Sequence, residues 1–294
     1  MKIAIYGQFY HKNSTVYIEN LLHILGNKPV EALIEDTFLA SIKAHHDLFI
    51  DEAKFQTFKS LDKSFDLLIS IGGDGTILRA IEHVKDLDIP IVGLNTGRLG
   101  FLATIQKDTI ETAIDQILDG QYTISERSLL SIETNPPNAS LQTFNVALNE
   151  ITVSRKNTTS MITVDTSLND EYLTSYWADG LIVSTPTGST GYSLSCGGPV
   201  IIPEAQNFVL TPIAPHNLNA RPLIIPDSTV IKLKVNGRED NHLVSLDSRI
   251  ATLDNETEII IKKANYTIKL IELEEESFLV TLRKKMLWGE DKRN

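Results

Sequence analysis

The chain has 294 residues, with 27 Lys+Arg against 38 Asp+Glu and a formal net charge of −11. This acidic surplus argues against nucleic acid or anionic lipid as a partner, since either needs a positive footprint. The single cysteine, Cys196, excludes an internal disulfide and a multi-cysteine zinc site. With 42 % hydrophobic and 22 % charged residues, the composition is that of a soluble globular protein of about two domains. No stretch is long and apolar enough for a membrane span, and the start turns polar too soon for a signal peptide, so a cytoplasmic location is expected.

In chain order, residues 2–6, 30–34, 65–71 and 89–94 are continuous apolar runs of strand length. Continuous runs, unlike alternating ones, suit strands buried on both faces of a parallel sheet. Between them, Ser14 opens a helical pattern through Tyr17, Ile18, Leu21, Leu22 and Leu25 that stops at Gly26-Asn27. Asp108 opens another through Ile110, Ile114, Ile117 and Leu118, ending at Gly120. The alternation predicts a doubly wound α/β domain over residues 1–121. Residues 122–273 read instead as a β-rich domain, with strand-like runs at 146–153, 161–166, 180–184, 230–235 and 258–261. Asn135-Pro136-Pro137-Asn138, Asn169-Asp170, Asn236-Gly237 and Asp254-Asn255 punctuate them, and Asn236-Gly237 predicts a tight hairpin. Residues 274–294 carry a terminal helix with Phe278, Leu282 and Met286 on one face, expected to dock on the α/β domain.

Three stretches carry candidate chemistry. In the first, a buried strand runs into Gly72-Gly73-Asp74-Gly75 and then a helix. Glycines let a ligand approach the backbone, and a helix start offers N–H groups and a positive dipole end to a phosphate. The stretch is neither a dinucleotide fingerprint nor a P-loop. The residues alone also fit a plain strand–helix corner with Asp74 as its cap. At the carboxyl end of a central strand, however, Asp74 is placed to take a proton from an attacking alcohol during phosphoryl transfer. Arg79, further along the helix, either offsets phosphate charge or pairs with a surface carboxylate.

The second stretch follows Asp179 and is dense in hydroxyls and glycines from Ser184 to Pro199. It suits neutral hydrogen bonding to a nucleotide, with Tyr192 placed to stack on a base. A serine nucleophile is disfavoured because Gly188-Ser189-Thr190-Gly191 is one residue short of the hydrolase elbow. The third is Asn149-Glu150, where strand alternation would send the two side chains to opposite faces. The seven histidines (His11, His23, His45, His46, His83, His216, His242) show no metal-ligand spacing, so no protein-built metal site is expected.

Together the stretches resemble the NAD kinase family. Matching residues are Gly72 to Thr76, Asn95-Thr96-Gly97-Arg98-Leu99-Gly100-Phe101, Asn149-Glu150, Asp179-Gly180 through Gly198-Pro199, the segment from Pro215 to Pro222, and that from Thr281 to Gly289. The resemblance implies an α/β domain followed by a β-rich domain and transfer of the γ-phosphoryl group of ATP to the adenosine 2′-hydroxyl of NAD. Asp74 would be the general base, with Gly75 and Arg79 beside the nucleotide and Phe101 on the pocket wall. Asn149, Glu150 and Asp179 would bind NAD, and Thr190, Gly191, Tyr192, Ser193, Leu194 and Ser195 would wrap its adenine and ribose. Asp247 is carried over as a further nucleotide contact. The resemblance also implies a divalent ion, Mg2+, arriving with ATP, and a homodimer or homotetramer whose sites are completed across subunits. One departure stands out: Trp177 occupies a position where many bacterial members have a basic residue. A lipid-type kinase sharing the Gly-Gly-Asp-Gly turn is disfavoured, because no apolar or basic stretch would reach a membrane. A nucleotide sensor without turnover would use nearly the same residues, and Asp74 favours an enzyme over it.

Overall fold

A computed structural model of the chain describes residues 1–8, 14–44, 55–157 and 160–287. The chain divides into two compact units, Met1–Glu126 with Ile268–Asn294, and Arg127–Thr267.

The first unit alternates strand and helix: β1 (Lys2–Tyr6), α1 (Thr15–Gly26), β2 (Glu31–Glu35), α2 (Asp36–Ala44), β3 (Gln56–Phe58), β4 (Leu67–Gly72), α3 (Asp74–Val84), β5 (Ile91–Asn95), β6 (Ala103–Ile105), α4 (Ile110–Leu118) and β7 (Thr123–Arg127). Both faces of the central strands are covered, as their unbroken apolar runs require: Ile3, Ala4, Ile5, Leu67, Leu68 and Ile69 are all at most 1 % exposed. Ile18, Leu21 and Leu25 of α1, Phe38 of α2 and Ile114 and Ile117 of α4 share one core with Ile3, Ile5 and Ile69. The α3 helix packs its Ile77 over Gly93 of β5 instead.

The second unit contains β8 (Leu130–Asn135), α5 (Ala139–Gln142), β9 (Val146–Ala147), β10 (Glu150–Ser154), β11 (Ile162–Leu168), β12 (Glu171–Ala178), β13 (Gly180–Ser184), α6 (Tyr192–Ser195), β14 (Asn207–Ile213), β15 (Leu223–Pro226), β16 (Ile231–Asn236), β17 (Asn241–Leu246), β18 (Arg249–Asp254) and β19 (Glu258–Lys263). These form two sheets, in the orders β15-β14-β13-β10-β17-β18 and β12-β11-β16-β19-β8-β9. Alternating residues from both, such as Val153, Val183 and Val244 from one and Val164, Leu233 and Ile259 from the other, build a single core.

The chain then returns to the first unit through β20 (Ile268–Glu272) and α7 (Phe278–Met286). The first sheet runs β3-β2-β1-β4-β5-β20-β7, with β6 also beside β5. The pairs β1–β2, β1–β4, β4–β5 and β5–β20 are parallel. The strand order turns back between β1 and β4, which places the carboxyl end of β4 at the switch point where open α/β sheets bind ligands. Ser277 caps α7 by accepting the Val280 N–H at 3.4 Å. Trp288, Gly289 and the histidines His11, His45 and His46 lie outside the described residues.

Three expectations are corrected. The expected β-rich domain, 122–273, is too wide at both ends: residues 122–126 and 268–273 belong to the first unit, where β7 lies next to β20 and Leu270 of β20 pairs with Ile91 of β5. Asn236-Gly237 is not a hairpin turn: β16 pairs with β11 and β19, whereas β17 pairs with β10 and β18, so the chain crosses there between facing sheets. Tight two-residue hairpins lie instead at Asn169-Asp170, both at positive φ, joining Leu168 to Glu171, and at Asp247-Ser248, joining Leu246 to Arg249. Finally, the run 146–153 is two strands, β9 and β10, interrupted at Leu148-Asn149.

Candidate functional site

In the first unit, Gly72 ends β4 with φ +153°, and a Cβ there would overlap the Thr76 hydroxyl. No other residue type makes this turn without strain. Gly73 precedes α3 and the Asp74 side chain projects from its first residue. Asp74 does not cap its own helix. Its Oδ2 accepts the Phe101 N–H at 2.8 Å, and its Oδ1 accepts those of Leu102 and Ala103, each at 3.0 Å. An ionised carboxylate has about four lone-pair sites, so three such bonds fix its orientation and leave about one for a ligand. Nothing among the described residues would meet a Cβ on Gly73 or Gly75, so space lies open beside the carboxylate.

The segment that holds Asp74 is itself built by Asn95. Its amide nitrogen donates to the carbonyls of Arg98 at 2.7 Å and Ala103 at 3.1 Å, while its Oδ1 accepts the Gly97 N–H at 2.7 Å. A Cβ on Gly100 would fall on the Asp74 carboxylate. The Asn95-to-Phe101 motif is therefore a cradle for Asp74. Phe101 packs its ring 6.1 Å from that of Phe278, and the Lys285 ammonium lies 4.6 Å from its centroid, so α7 braces it. Arg79 does not join Asp74. Five residues along a helix turn it by about 140°, and its guanidinium pairs with Glu82 at 3.2 Å.

In the second unit, the loop after β13 folds onto the break between β9 and β10. The Thr185 hydroxyl donates to the Leu148 carbonyl at 2.6 Å, and the Thr185 N–H donates to the Asn149 carbonyl at 2.9 Å. A Cβ on Gly188 would strike the Asn149 backbone. Strand alternation fails here because the strand is broken: a Cβ on Gly191 would lie 3.0 Å from Glu150 Oε2 and 3.4 Å from Asn149 Nδ2, so both side chains meet one loop. Asn149 Oδ1 and Glu150 Oε2 are buried with no hydrogen-bond partner. The Glu150 carboxyl is pushed up to about 8, first by burial and then by the charge of Asp247, against a lowering bond from the Tyr192 N–H.

Tyr192 is 45 % exposed. Burial of its phenol, then Cys196, Asp179 and Glu150 nearby, hold its proton on more tightly than usual. Asn149, Glu150, Asp179 and Tyr192 are thus brought together. Asp179 is already paired, 2.9 Å from Arg155. The hydroxyl-rich block differs from its sequence reading. Ser193 is buried and bonded to Thr211 at 2.8 Å, Ser189 bonds both backbone groups of Ile201, and Thr190 donates to the Thr187 carbonyl at 3.1 Å. These hydroxyls shape the loop, leaving Gly191, Leu194, the exposed Ser195 and the backbone to face outward. Asp247 directs its carboxylate at the backbone of residues 148–150. Trp177 is 46 % exposed, with its ring 4.4 Å from that of His216.

Residues 3–122 match the description "ATP-NAD kinase N-terminal domain" and residues 148–273 match "ATP-NAD kinase C-terminal domain". Over their whole lengths, the chain is 64 % identical to an NAD kinase of Christiangramia forsetii and 43 % identical to one of Cytophaga hutchinsonii. The chain belongs to the NAD kinase family. An NAD kinase of Archaeoglobus fulgidus, solved in complex with ATP, aligns over 94 % of this chain and 95 % of its own at a TM-score of 0.71 and 26 % identity. The fold is also that of yeast NADH kinase complexed with NADH, with a TM-score of 0.83 and 23 % identity over 99 % of this chain and 89 % of the other.

The cradle formed by Asn95 and Gly100 is the part of the site that the residue reading missed as chemistry. A signal was present: an Asn followed within five residues by two glycines just after a buried strand. Without the fold, nothing tied that segment to a carboxylate 21 or more positions earlier.

Proposed function

We propose that the chain transfers the γ-phosphoryl group of ATP to the adenosine 2′-hydroxyl of NAD, giving NADP and ADP. The observation that carries the mechanism is the Asp74 carboxylate, fixed by three backbone N–H groups at the start of α3 beside open space over Gly73 and Gly75. In the reaction the 2′-oxygen bonds to the γ-phosphorus, the bond to the β–γ bridging oxygen breaks, and the hydroxyl proton passes to Asp74. Catalysis of this kind rests on positioning and charge stabilisation. The N–H groups at the start of α3, Gly75 among them, suit the phosphates. In the second unit, Asn149 and Glu150 bind NAD through their unpartnered oxygens, with Tyr192, Asp179 and the backbone of residues 190–195 around it; in the first, Phe101 stands beside Asp74. Arg79, which pairs with Glu82 on α3, is kept in this reading as a contact that offsets phosphate charge.

Among the described residues no cluster of three His, Cys, Asp or Glu side chains could hold a metal. We infer that Mg2+ enters with ATP, held mainly by water and phosphate oxygens. When bound it neutralises charge on the β- and γ-phosphates. No helix among the described residues is long and apolar enough to cross a membrane. A cytoplasmic location is part of the same proposal, on the resemblance to the family. We also infer a homodimer or homotetramer, supported by exposed Tyr172, Leu173 and Trp177 on the edge strand β12 and Leu223 and Ile224 on the edge strand β15.

The test is incubation of the purified protein with Mg-ATP and NAD, with NADP read out by an NADP-specific dehydrogenase. Asp74→Asn is expected to lower kcat by roughly 10²–10⁴, the range for losing a general base. A fall of less than tenfold in a folded variant would remove Asp74 from that role. NAD binding without NADP formation would leave a sensor, or a donor other than ATP.

A further inference from the structure

Leu148 and Asn149 lie between β9 and β10, where neither strand continues. Their carbonyls are satisfied from one side by Thr185, and Asn149 also accepts the Ser184 hydroxyl at 3.2 Å. Their N–H groups are satisfied from the other side by Asp247. Its Oδ2 accepts the Leu148 N–H at 3.0 Å, and its Oδ1 accepts those of Asn149 at 2.8 Å and Glu150 at 3.2 Å. The Asp247 N–H donates in return to the Glu150 carbonyl at 3.0 Å. Asp247 sits at φ 51° in the two-residue turn closed by the pair Leu246 and Arg249, a conformation that Asp and Asn tolerate better than most residues. With its oxygens held this way, the carboxylate is turned to protein and not to a ligand.

We propose that Asp247 is a positioning residue, whose carboxylate clamps the backbone of residues 148–150 so that Asn149 Oδ1 and Glu150 Oε2 are kept without protein partners for NAD. The inference rests on the reading that Asn149 and Glu150 bind the dinucleotide. It reassigns Asp247 from nucleotide contact to support.

The clamp also has an electrical consequence. The groups facing Glu150 are Asp247 from the β17–β18 turn and Tyr192 and Cys196 from α6, while Arg249 faces Asp247. Burial and the Asp247 charge both favour the neutral form of Glu150. NAD brings anionic phosphates, so neutral Glu150 binds it better, and the KM for NAD should rise as the pH climbs through about 8. Removing the Asp247 charge should move that rise to lower pH, which a merely structural anchor would not do.

The experiment uses the full chain and two variants. Asp247→Gly keeps the positive φ and removes the carboxylate. Asp247→Asn keeps one oxygen for Asn149 and Glu150 but loses the acceptor for Leu148. In Asp247→Gly without nucleotide, amide exchange at residues 148–150 is expected to accelerate at least about tenfold while β13 stays protected. The KM for NAD should rise by more than kcat falls. In Asp247→Asn, the pH midpoint of that KM should shift downward. Unchanged exchange at 148–150 in Asp247→Gly, or an unmoved midpoint in a folded Asp247→Asn, overturns the proposal. Absence of NADP from the unaltered protein refutes the functional reading instead, and the exchange measurement still decides whether the clamp exists.

Discussion

At the scale of single residues, the site is set as much by what is missing as by what is present. A Cβ on Gly100 would occupy the space of the Asp74 carboxylate, so Gly100→Ala must displace either the carboxylate or the segment holding it. Misplacement on the order of 1 Å can cost about 10² in rate. We expect a kcat for NADP formation lowered by about that factor, with secondary structure by circular dichroism retained; an unaltered kcat would show that the cradle is dispensable. Tyr192 makes the complementary case. Its phenol is half-exposed beside Glu150 and Asp179, so Tyr192→Ala should chiefly raise the KM for NAD, and steady-state kinetics giving the wild-type KM would remove it from the pocket.

At the scale of elements, the loop between β13 and β14 shows why a hydroxyl-rich sequence is a poor guide to which hydroxyls face a ligand. Read as a string, Ser189, Thr190 and Ser193 are equivalent donors. In the fold, Ser193 is fully buried against Thr211, and Gly198 has to be small because a Cβ there would strike the Ser193 hydroxyl. Ser193→Ala would leave the buried Thr211 hydroxyl without this partner, a loss of about 1–3 kcal/mol. Urea denaturation should show that decrease, and a change under 0.5 kcal/mol, roughly the level of a neutral surface substitution, would mean the pair is not structural. The break between β9 and β10 is the other element-scale lesson. An unbroken strand would have separated Asn149 from Glu150, whereas the interruption, satisfied by Thr185 and Asp247, turns both toward Gly191.

At the scale of the whole molecule, buried titratable groups set opposing pH dependences. Burial lowers His242 and His83 below the ordinary 6.5. The unfolded chain then binds more protons, so their contribution is fully present above about pH 6.5 and is lost as pH falls below it. Glu150 acts in the other sense. Raised from 4.5 to about 8, it makes the native state hold the extra proton, so stability falls as pH rises across that window. Glu150→Gln should therefore raise the urea midpoint at pH 8 and leave it nearly unchanged at pH 4. An equal effect at both values would mean that Glu150 does not titrate in this range. A buried carboxylate that costs stability near neutral pH is understandable at a binding site, where it is kept for its ligand.

The amino-acid sequence determined the two-part organisation, because continuous apolar runs and alternating ones are local consequences of being buried on two faces or one. It also determined the strand–glycine–helix corner at Asp74, since that turn needs glycine wherever it occurs. Only the tertiary structure decided where β20 pairs, which sheet receives the chain after Asn236-Gly237, and what the carboxylates of Asp74 and Asp247 hold. Each of these depends on partners far away in sequence: Ala103 lies 29 positions from Asp74, and Leu148 lies 99 from Asp247. Local spacing is silent about such pairings, because they exist only once the backbone has folded and left donors that must be satisfied.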